Sequence, residues 1–235
     1  MTKNPFGNPL FNDIDFSKKL EPFGVSVHPY ANTADARGET YTTRDDGFPP
    51  TPIFSPINPF NDDIRAAKNV LEIGCGVGRN LPIIMEETNA HYWSVDPNAP
   101  MLSHFWNVQD SKYKDRVTLC KDFSELPTDL VFDFVLVTFV FQHIGFRPAY
   151  KQMNVVDITE AAMEHTRNGT VWFVLEHERE EVWQARWMQA CKITPAVYYK
   201  PGGNHAGGGT IPYPEFESMT HRGNDNNLII FKESK

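Results

Sequence analysis

The sequence lacks the features of secreted, membrane-spanning and nucleic-acid-binding proteins. Its three cysteines, Cys75, Cys120 and Cys191, form no CxxC pair, which predicts neither a disulfide framework nor a zinc site and fits a reducing cytoplasm. The N-terminus has no signal-peptide pattern, and no apolar run approaches the ~18 residues that a membrane span needs. The net charge is −8, from 22 basic and 30 acidic residues without long runs, so no surface is suited to a phosphate backbone. We therefore expect a soluble cytoplasmic protein that binds neither membranes nor nucleic acid.

Proline is concentrated at the start of the chain. Residues 1–60 hold nine of the 18 prolines, which disfavours long helices and central strands there. The same segment is rich in aromatic residues, which argues against disorder. We interpret residues 1–60 as an irregular extension that covers a ligand cleft, with a loose tail as the alternative. Tyr30, Tyr41 and Phe54 are candidates to line that cleft, although core packing would use them equally well.

From residue 61 onward, helix and strand patterns alternate. A short helix over 61–68 is expected to be capped by Asn61 or Asp62, and a later helix to end at Gly169. The nearly all-apolar run over 131–141 is typical of a strand covered on both faces. The predicted strands are 69–74, 90–96, 116–122, 131–141 and 170–177. This alternation predicts an α/β fold, with a doubly wound, mostly parallel sheet and helices on both faces.

The last part of the chain breaks this alternation. Segments 215–221 and 228–234, separated by turn residues, predict an antiparallel β-hairpin that closes the sheet. Before this hairpin, residues 198–214 hold five of the 15 glycines, and 201–209 are the most glycine-rich part. That segment is either an exposed connector or a mobile lid.

The stretch NVLEIGCGVGRN, residues 69–80, has the order strand, glycine turn, helix start. Gly74, Gly76 and Gly78 let a ligand approach the bare backbone at a helix N-terminus. A dinucleotide fingerprint, GxGxxG, would need its third glycine where Arg79 stands. The spacing therefore disfavours a nicotinamide dehydrogenase.

Four linked segments carry a family resemblance. LEIGCGVGRN, SVDPNAPML, CKDFSELP and FDFVLVTFVFQHI follow one another in the order and spacing of the class I S-adenosylmethionine-dependent methyltransferases, which residues 61–177 resemble. The resemblance implies a seven-stranded sheet whose last strand is antiparallel, with S-adenosylmethionine as the cofactor. It also implies two parts, the extension over 1–60 and a methyltransferase domain over 61–235.

Several positions have an expected role toward the cofactor. Asp96 ends the second strand 20 residues after Gly76, where a carboxylate accepts hydrogen bonds from ribose hydroxyls, unless it caps the next helix. The resemblance implies that Asp122 accepts from the adenine amino group, and that Glu72 orients the glycine turn or the amino group of the ligand. The full predicted set is Glu72, Gly74, Cys75, Gly76, Gly78, Asp96, Pro97, Met101, Asp122, Phe123, Thr138 and Phe139.

Methyl transfer from a sulfonium needs mainly alignment, and a base only where the acceptor is protonated and weakly acidic. His143, which follows the fourth strand, is the candidate base, although a lone histidine beside apolar residues is more often structural. Glu176 and His177 are a second choice. No aspartate follows the fourth strand in VTFVFQHIGF, and HEREE lacks the second histidine of a zinc motif. We therefore expect a metal-independent enzyme.

The predicted function is methyl transfer from S-adenosylmethionine to a small-molecule acceptor, at oxygen or nitrogen. The alternatives are a methyltransferase that acts on a peptide or protein, and a protein that binds S-adenosylmethionine without turnover. Aminopropyl transfer on the same fold is disfavoured, since its aspartate after the fourth strand is missing. The oligomeric state is not predicted.

Overall fold

The computed structural model describes residues 51, 53–56, 58–76, 78, 80–96, 111–141, 155–177, 187–199 and 226–234. Three predicted site residues, Pro97, Met101 and His143, lie outside the described residues, as do Tyr30 and Tyr41.

A seven-stranded sheet forms the centre of the molecule. Its strands are β1 (Asn69–Ile73), β2 (His91–Val95), β3 (Val117–Cys120), β4 (Phe132–Thr138), β5 (Thr166–His177), β6 (Val197–Tyr199) and β7 (Asn226–Lys232). The spatial order is β3-β2-β1-β4-β5-β7-β6. Strands β1 to β5 pair in parallel, whereas β7 runs antiparallel to both β5 and β6. The predicted α/β fold with a mostly parallel sheet is confirmed.

Apolar side chains on both faces of this sheet form the core. The helices that lie wholly within the described residues are α1 (Asn61–Arg65), α2 (Leu81–Glu87) and α3 (Val155–Met163), with 3-10 turns at Ser111–Arg116 and Phe123–Glu125. Leu81 and Ile84 of α2 are buried in one cluster, and Ile158 of α3 is buried in the other. None of the helices in the described ranges has the length and apolar character to cross a bilayer.

Two predicted helix ends differ from the structure. Phe60, rather than Asn61 or Asp62, is the N-cap of α1, and the Asn61 amide instead donates to the Ser55 carbonyl at 2.8 Å. Gly169 does not end α3, which stops at Met163; it lies inside β5 with φ of 93°. The β4–β5 register shifts just there, so the glycine serves an irregular strand.

The antiparallel strand pair at the end of the sheet is present, but its first strand is Val197–Tyr199 rather than 215–221. Strand β5 occupies one edge of β7 and β6 occupies the other, so residues 228–230 have no edge left for 215–221. The segment 215–221 itself lies outside the described residues, as does 201–209. A strand of three residues has too weak a pattern to be found by alternation.

Part of the residues before α1 belongs to the core. Ile53 is fully buried in the cluster on the α2 face, and Phe54 and Phe60 pack against that cluster. Asn58 secures the segment, because its Nδ2 donates to the Ile53 carbonyl at 2.8 Å and its Oδ1 accepts from the Phe60 backbone N–H at 3.0 Å. For Phe54, core packing is thus the observed role.

Candidate functional site

The loops after β1 and β4 lie side by side at the carboxyl edge of the sheet. Strand β1 pairs with β2 on one side and with β4 on the other, so the chain reverses its direction of winding between β1 and β4. In open α/β sheets, ligands bind in the crevice at such a switch point. The glycine turn follows β1, and at the same edge Thr138 ends β4 and Phe139 follows it.

The glycine turn uses conformations that suit glycine. Gly74, Gly76 and Gly78 all have positive φ, of 71°, 54° and 79°. The turn is fixed at both ends, because the Gly74 N–H donates to the Val95 carbonyl at 2.8 Å and the Gly78 N–H donates to the Cys75 carbonyl at 2.9 Å. A side chain on Gly74 would overlap Val140. The turn therefore presents backbone, not side chains, where Gly74 meets the loop after β4.

Asp96 lies directly after β2, beside the glycine turn. Its Oδ2 accepts a hydrogen bond of 2.7 Å from the Gly76 N–H, and the residue is buried. The contact joins the predicted ribose-binding carboxylate to the middle glycine of the turn. The ribose role itself stays a prediction.

A buried polar network lies behind the turn. The Glu72 Oε1 accepts from the Asn80 Nδ2 at 2.7 Å, and its Oε2 accepts from the Tyr92 hydroxyl. The same Asn80 Nδ2 donates to the Thr138 Oγ1 at 3.1 Å. Burial, followed by the Glu72 charge, raises the pKa of Tyr92 well above its usual value. Both carboxylate oxygens of Glu72 thus bond to protein donors, which favours orientation of the turn over direct contact with a ligand amino group.

Asn80 is a site residue that the sequence analysis missed. We expected it only at the start of α2, and it is indeed the N-cap residue, without a side-chain cap bond among the described residues. Its side chain instead faces Glu72 and Thr138. The signal available in the sequence was an amide two residues after Gly78, at a helix start whose first turn, LPII, is apolar.

Phe139 has an unusual backbone conformation just after β4. Its φ is 59°, in the left-handed region that aromatic residues rarely adopt, and such outliers cluster at functional sites. Its N–H donates to the Leu175 carbonyl at 2.8 Å. The next two N–H groups, of Val140 and Phe141, both donate to the Glu176 Oε1 at 2.9 Å. The fully buried Glu176 thus holds the loop after β4, a positioning role that differs from the second-choice base considered above.

Asp122 and Phe123 follow β3 at the far side of the crevice. Asp122 is the N-cap of the 3-10 turn at Phe123–Glu125, and its Oδ1 accepts from the Ser124 N–H at 2.8 Å. The capping contact fixes the carboxylate at the carboxyl edge of the sheet. The adenine contact of both residues stays a prediction.

The thiol of Cys75 in the glycine turn is neutral. Cys75 is buried within the turn, and burial, followed by the charges of Asp96 and Glu72, raises the pKa of its thiol well above the usual value. All three cysteines are free thiols. Within the described ranges, no group of three His, Cys, Asp or Glu side chains could hold a metal ion.

The sequence matches a family model described as a methyltransferase domain over residues 48–190, more than half of the chain. No curated protein sequence matches it significantly.

Solved structures of other methyltransferases share the fold. A methyltransferase of Haloferax volcanii, solved in complex with the Trm112 methyltransferase activator, matches 87% of this chain and 97% of its own at a TM-score of 0.54 and 13% identity. A Listeria monocytogenes protein described as an S-adenosylmethionine-dependent methyltransferase matches 74% of this chain and 93% of its own, with a TM-score of 0.51 and 13% identity. The N-methyltransferase NodS of Bradyrhizobium japonicum, with bound S-adenosylhomocysteine, matches 84% of this chain and 96% of its own, with a TM-score of 0.50 and 14% identity. At such identities, the likeness concerns the fold alone.

Proposed function

This chain belongs to the methyltransferase domain family and is a class I S-adenosylmethionine-dependent methyltransferase, and from that premise we propose that its methyl acceptor is a small molecule. The acceptor atom is an oxygen or a nitrogen, and the reaction needs no metal. The cytoplasm is the proposed location, which the three free thiols support.

The residues at the switch point fit S-adenosylmethionine. The positive-φ glycine turn presents bare backbone at the switch point, and Asp96 presents a carboxylate at the end of the neighbouring strand. We assign the glycine turn to the methionine end of the cofactor, Asp96 to the ribose, and Asp122 with Phe123 to the adenine. When bound, the cofactor supplies an already activated methyl group on a sulfonium, so alignment provides most of the catalysis.

One observation supports the small acceptor. The Thr51 N–H donates to the Asn80 Oδ1 at 3.0 Å, and Ile53 is fully buried. The N-terminal extension therefore joins the domain directly behind the cofactor-binding turn. Residues 1–50, which precede Thr51, are rich in proline and aromatic residues, and we propose from this composition that they enclose an acceptor pocket, which favours a small molecule over a large surface.

The test uses the full chain and S-adenosylmethionine with a radiolabelled methyl group. Small hydroxyl and amine compounds form one acceptor panel, and peptides and unfolded proteins form the other. We expect label in the small-molecule panel and undiminished transfer after chelation of metals. Label only in peptides or proteins would contradict the proposal, and tight binding of S-adenosylhomocysteine without any transfer would favour a non-catalytic binding protein.

Once an acceptor is known, His143→Ala tests whether His143 is the base, since turnover should fall while the affinity for the cofactor stays unchanged.

A further inference from the structure

Asn80 joins three parts of the molecule that are distant in sequence. Its Nδ2 donates one hydrogen bond to Glu72 in β1 and another to Thr138 at the end of β4, which uses both amide protons. Its Oδ1 accepts from the Thr51 N–H of the segment before α1. The residue is fully buried, and its own carbonyl accepts from the Ile84 N–H at 3.2 Å within α2.

These partners lie under both loops of the switch point. Glu72 stands two residues before Gly74, and Thr138 stands one residue before the strained Phe139. The buried Glu72 carboxylate needs its donors, since a buried charge that loses a donor is strongly destabilised. The Asn80 amide donates to one Glu72 carboxylate oxygen and the Tyr92 hydroxyl donates to the other. The positions of the two loops therefore depend on this amide.

We propose that Asn80 is a positioning residue that holds the glycine turn and the loop after β4 in the geometry that binds S-adenosylmethionine, and couples both to the backbone of Thr51. It acts through Glu72, Thr138 and Thr51. The proposal rests on the cofactor and is independent of which acceptor is methylated.

The chemistry of the site requires an amide that donates twice and accepts once. In Asn80→Asp, an ionised carboxylate would face Glu72, donate nothing and repel its charge. Two carboxylates in one buried site share a proton, so the pair has a raised apparent pKa. At low pH the protonated aspartic acid donates one hydrogen bond again, and part of the geometry is restored.

The experiment measures S-adenosylhomocysteine affinity by calorimetry between about pH 6 and about pH 8, with thermal unfolding in parallel. We expect Asn80→Asp to bind about tenfold or more weakly than the unsubstituted protein at the higher pH, and to recover part of that loss at the lower pH. Asn58→Asp is the matched control. Asn58 is also buried and makes a comparable pair of hydrogen bonds within 53–60, without contact to Glu72. The Asn58→Asp variant should have a lower unfolding temperature and an unchanged affinity for S-adenosylhomocysteine.

Two further variants test the contacts of the Asn80 side chain if Asn80→Asp does not fold. Thr138→Val removes one acceptor of the amide, and Thr51→Pro removes the N–H that reaches Asn80 from the N-terminal segment. Both should weaken S-adenosylhomocysteine binding severalfold. Unchanged affinity in both variants would overturn the proposal. So would an affinity loss in Asn80→Asp that does not vary with pH, or equal affinities for Asn80→Asp and Asn58→Asp.

Discussion

Val140, in the loop after β4, packs directly against the backbone of Gly74 in the turn after β1. A Cβ built on Gly74 would overlap the Cγ2 of Val140 and lie 3.0 Å from its Cγ1. Gly74 also has a φ of 71°. Glycine is thus required here for two separate reasons, one conformational and one steric.

Gly74→Ala should therefore destabilise the fold and weaken cofactor binding. Left-handed strain costs about 1–3 kcal/mol, and overpacking adds about 1–3 kcal/mol. Gly169→Ala is the matched control, because Gly169 has a φ of 93° but no atom of the described residues lies within 4 Å of a Cβ there. Urea unfolding should show a larger loss for Gly74→Ala, and Val140→Ala in the same chain should restore part of it. Equal losses at the two glycines would contradict the steric argument.

Asp96→Asn should weaken binding of S-adenosylhomocysteine about tenfold or more, equivalent to about 1.4 kcal/mol. The amide oxygen preserves an acceptor for the Gly76 N–H, so the change removes mainly the charge that we assign to the ribose hydroxyls. Calorimetry measures the affinity. Asp133→Asn is the control, because Asp133 accepts from Lys68 and Arg167 at the amino edge of the sheet, away from the site. An affinity unchanged by Asp96→Asn would refute the ribose assignment.

The succession of the parallel strands along the chain and the position of the glycine turn could be predicted, because each depends on local pattern. The β4 run is apolar since both of its faces are covered, and Gly74 directly follows the apolar strand β1, as the pattern of strand and glycine turn predicted. Asn80 and Glu176 could not be assigned in this way. Each acts through partners far away in sequence, Thr138 and Thr51 for Asn80, and Val140 and Phe141 for Glu176. Such contacts exist only once the strands are in place.

Glu176→Ala should lower the free energy of unfolding by about 2–6 kcal/mol, since it leaves two N–H groups unpaired at about 1–3 kcal/mol each. These are the N–H groups of Val140 and Phe141, which both donate to its Oε1. Glu176→Gln retains an acceptor oxygen and should cost much less. Denaturant unfolding measures both variants. If the two variants were equally unstable, the carboxylate would act through its charge and not through this shared oxygen.

The stability of the protein should fall as the pH rises above about 9, the usual pKa of a cysteine thiol. Burial, followed by the nearby carboxylates, raises the pKa of Cys75 in the folded state, so the unfolded chain loses its proton first. The stability that the protonated Cys75 thiol contributes is complete below the pKa of this thiol in the unfolded chain. It is lost as the pH rises, and the free energy of unfolding falls by up to about 1.4 kcal/mol per pH unit. Cys75→Ala should make this slope shallower just above pH 9, while Tyr92, whose pKa is also raised, contributes from about pH 10. Equal slopes with and without the thiol would contradict its burial in the folded turn.

Asn227→Leu should stabilise the protein. Asn227 lies opposite Glu176 in the β5–β7 pair and is 1% exposed. Within the described part of the chain, neither its Oδ1 nor its Nδ2 has a hydrogen-bond partner. A buried polar group without a partner costs about 1–3 kcal/mol, and leucine has a similar shape without that cost, so the free energy of unfolding should rise by about that amount. The neighbouring Leu228→Ala, which removes a fully buried side chain of the core, is the opposite control and should cost about 2–5 kcal/mol. A loss of stability in Asn227→Leu would contradict the absence of a hydrogen-bond partner for this amide.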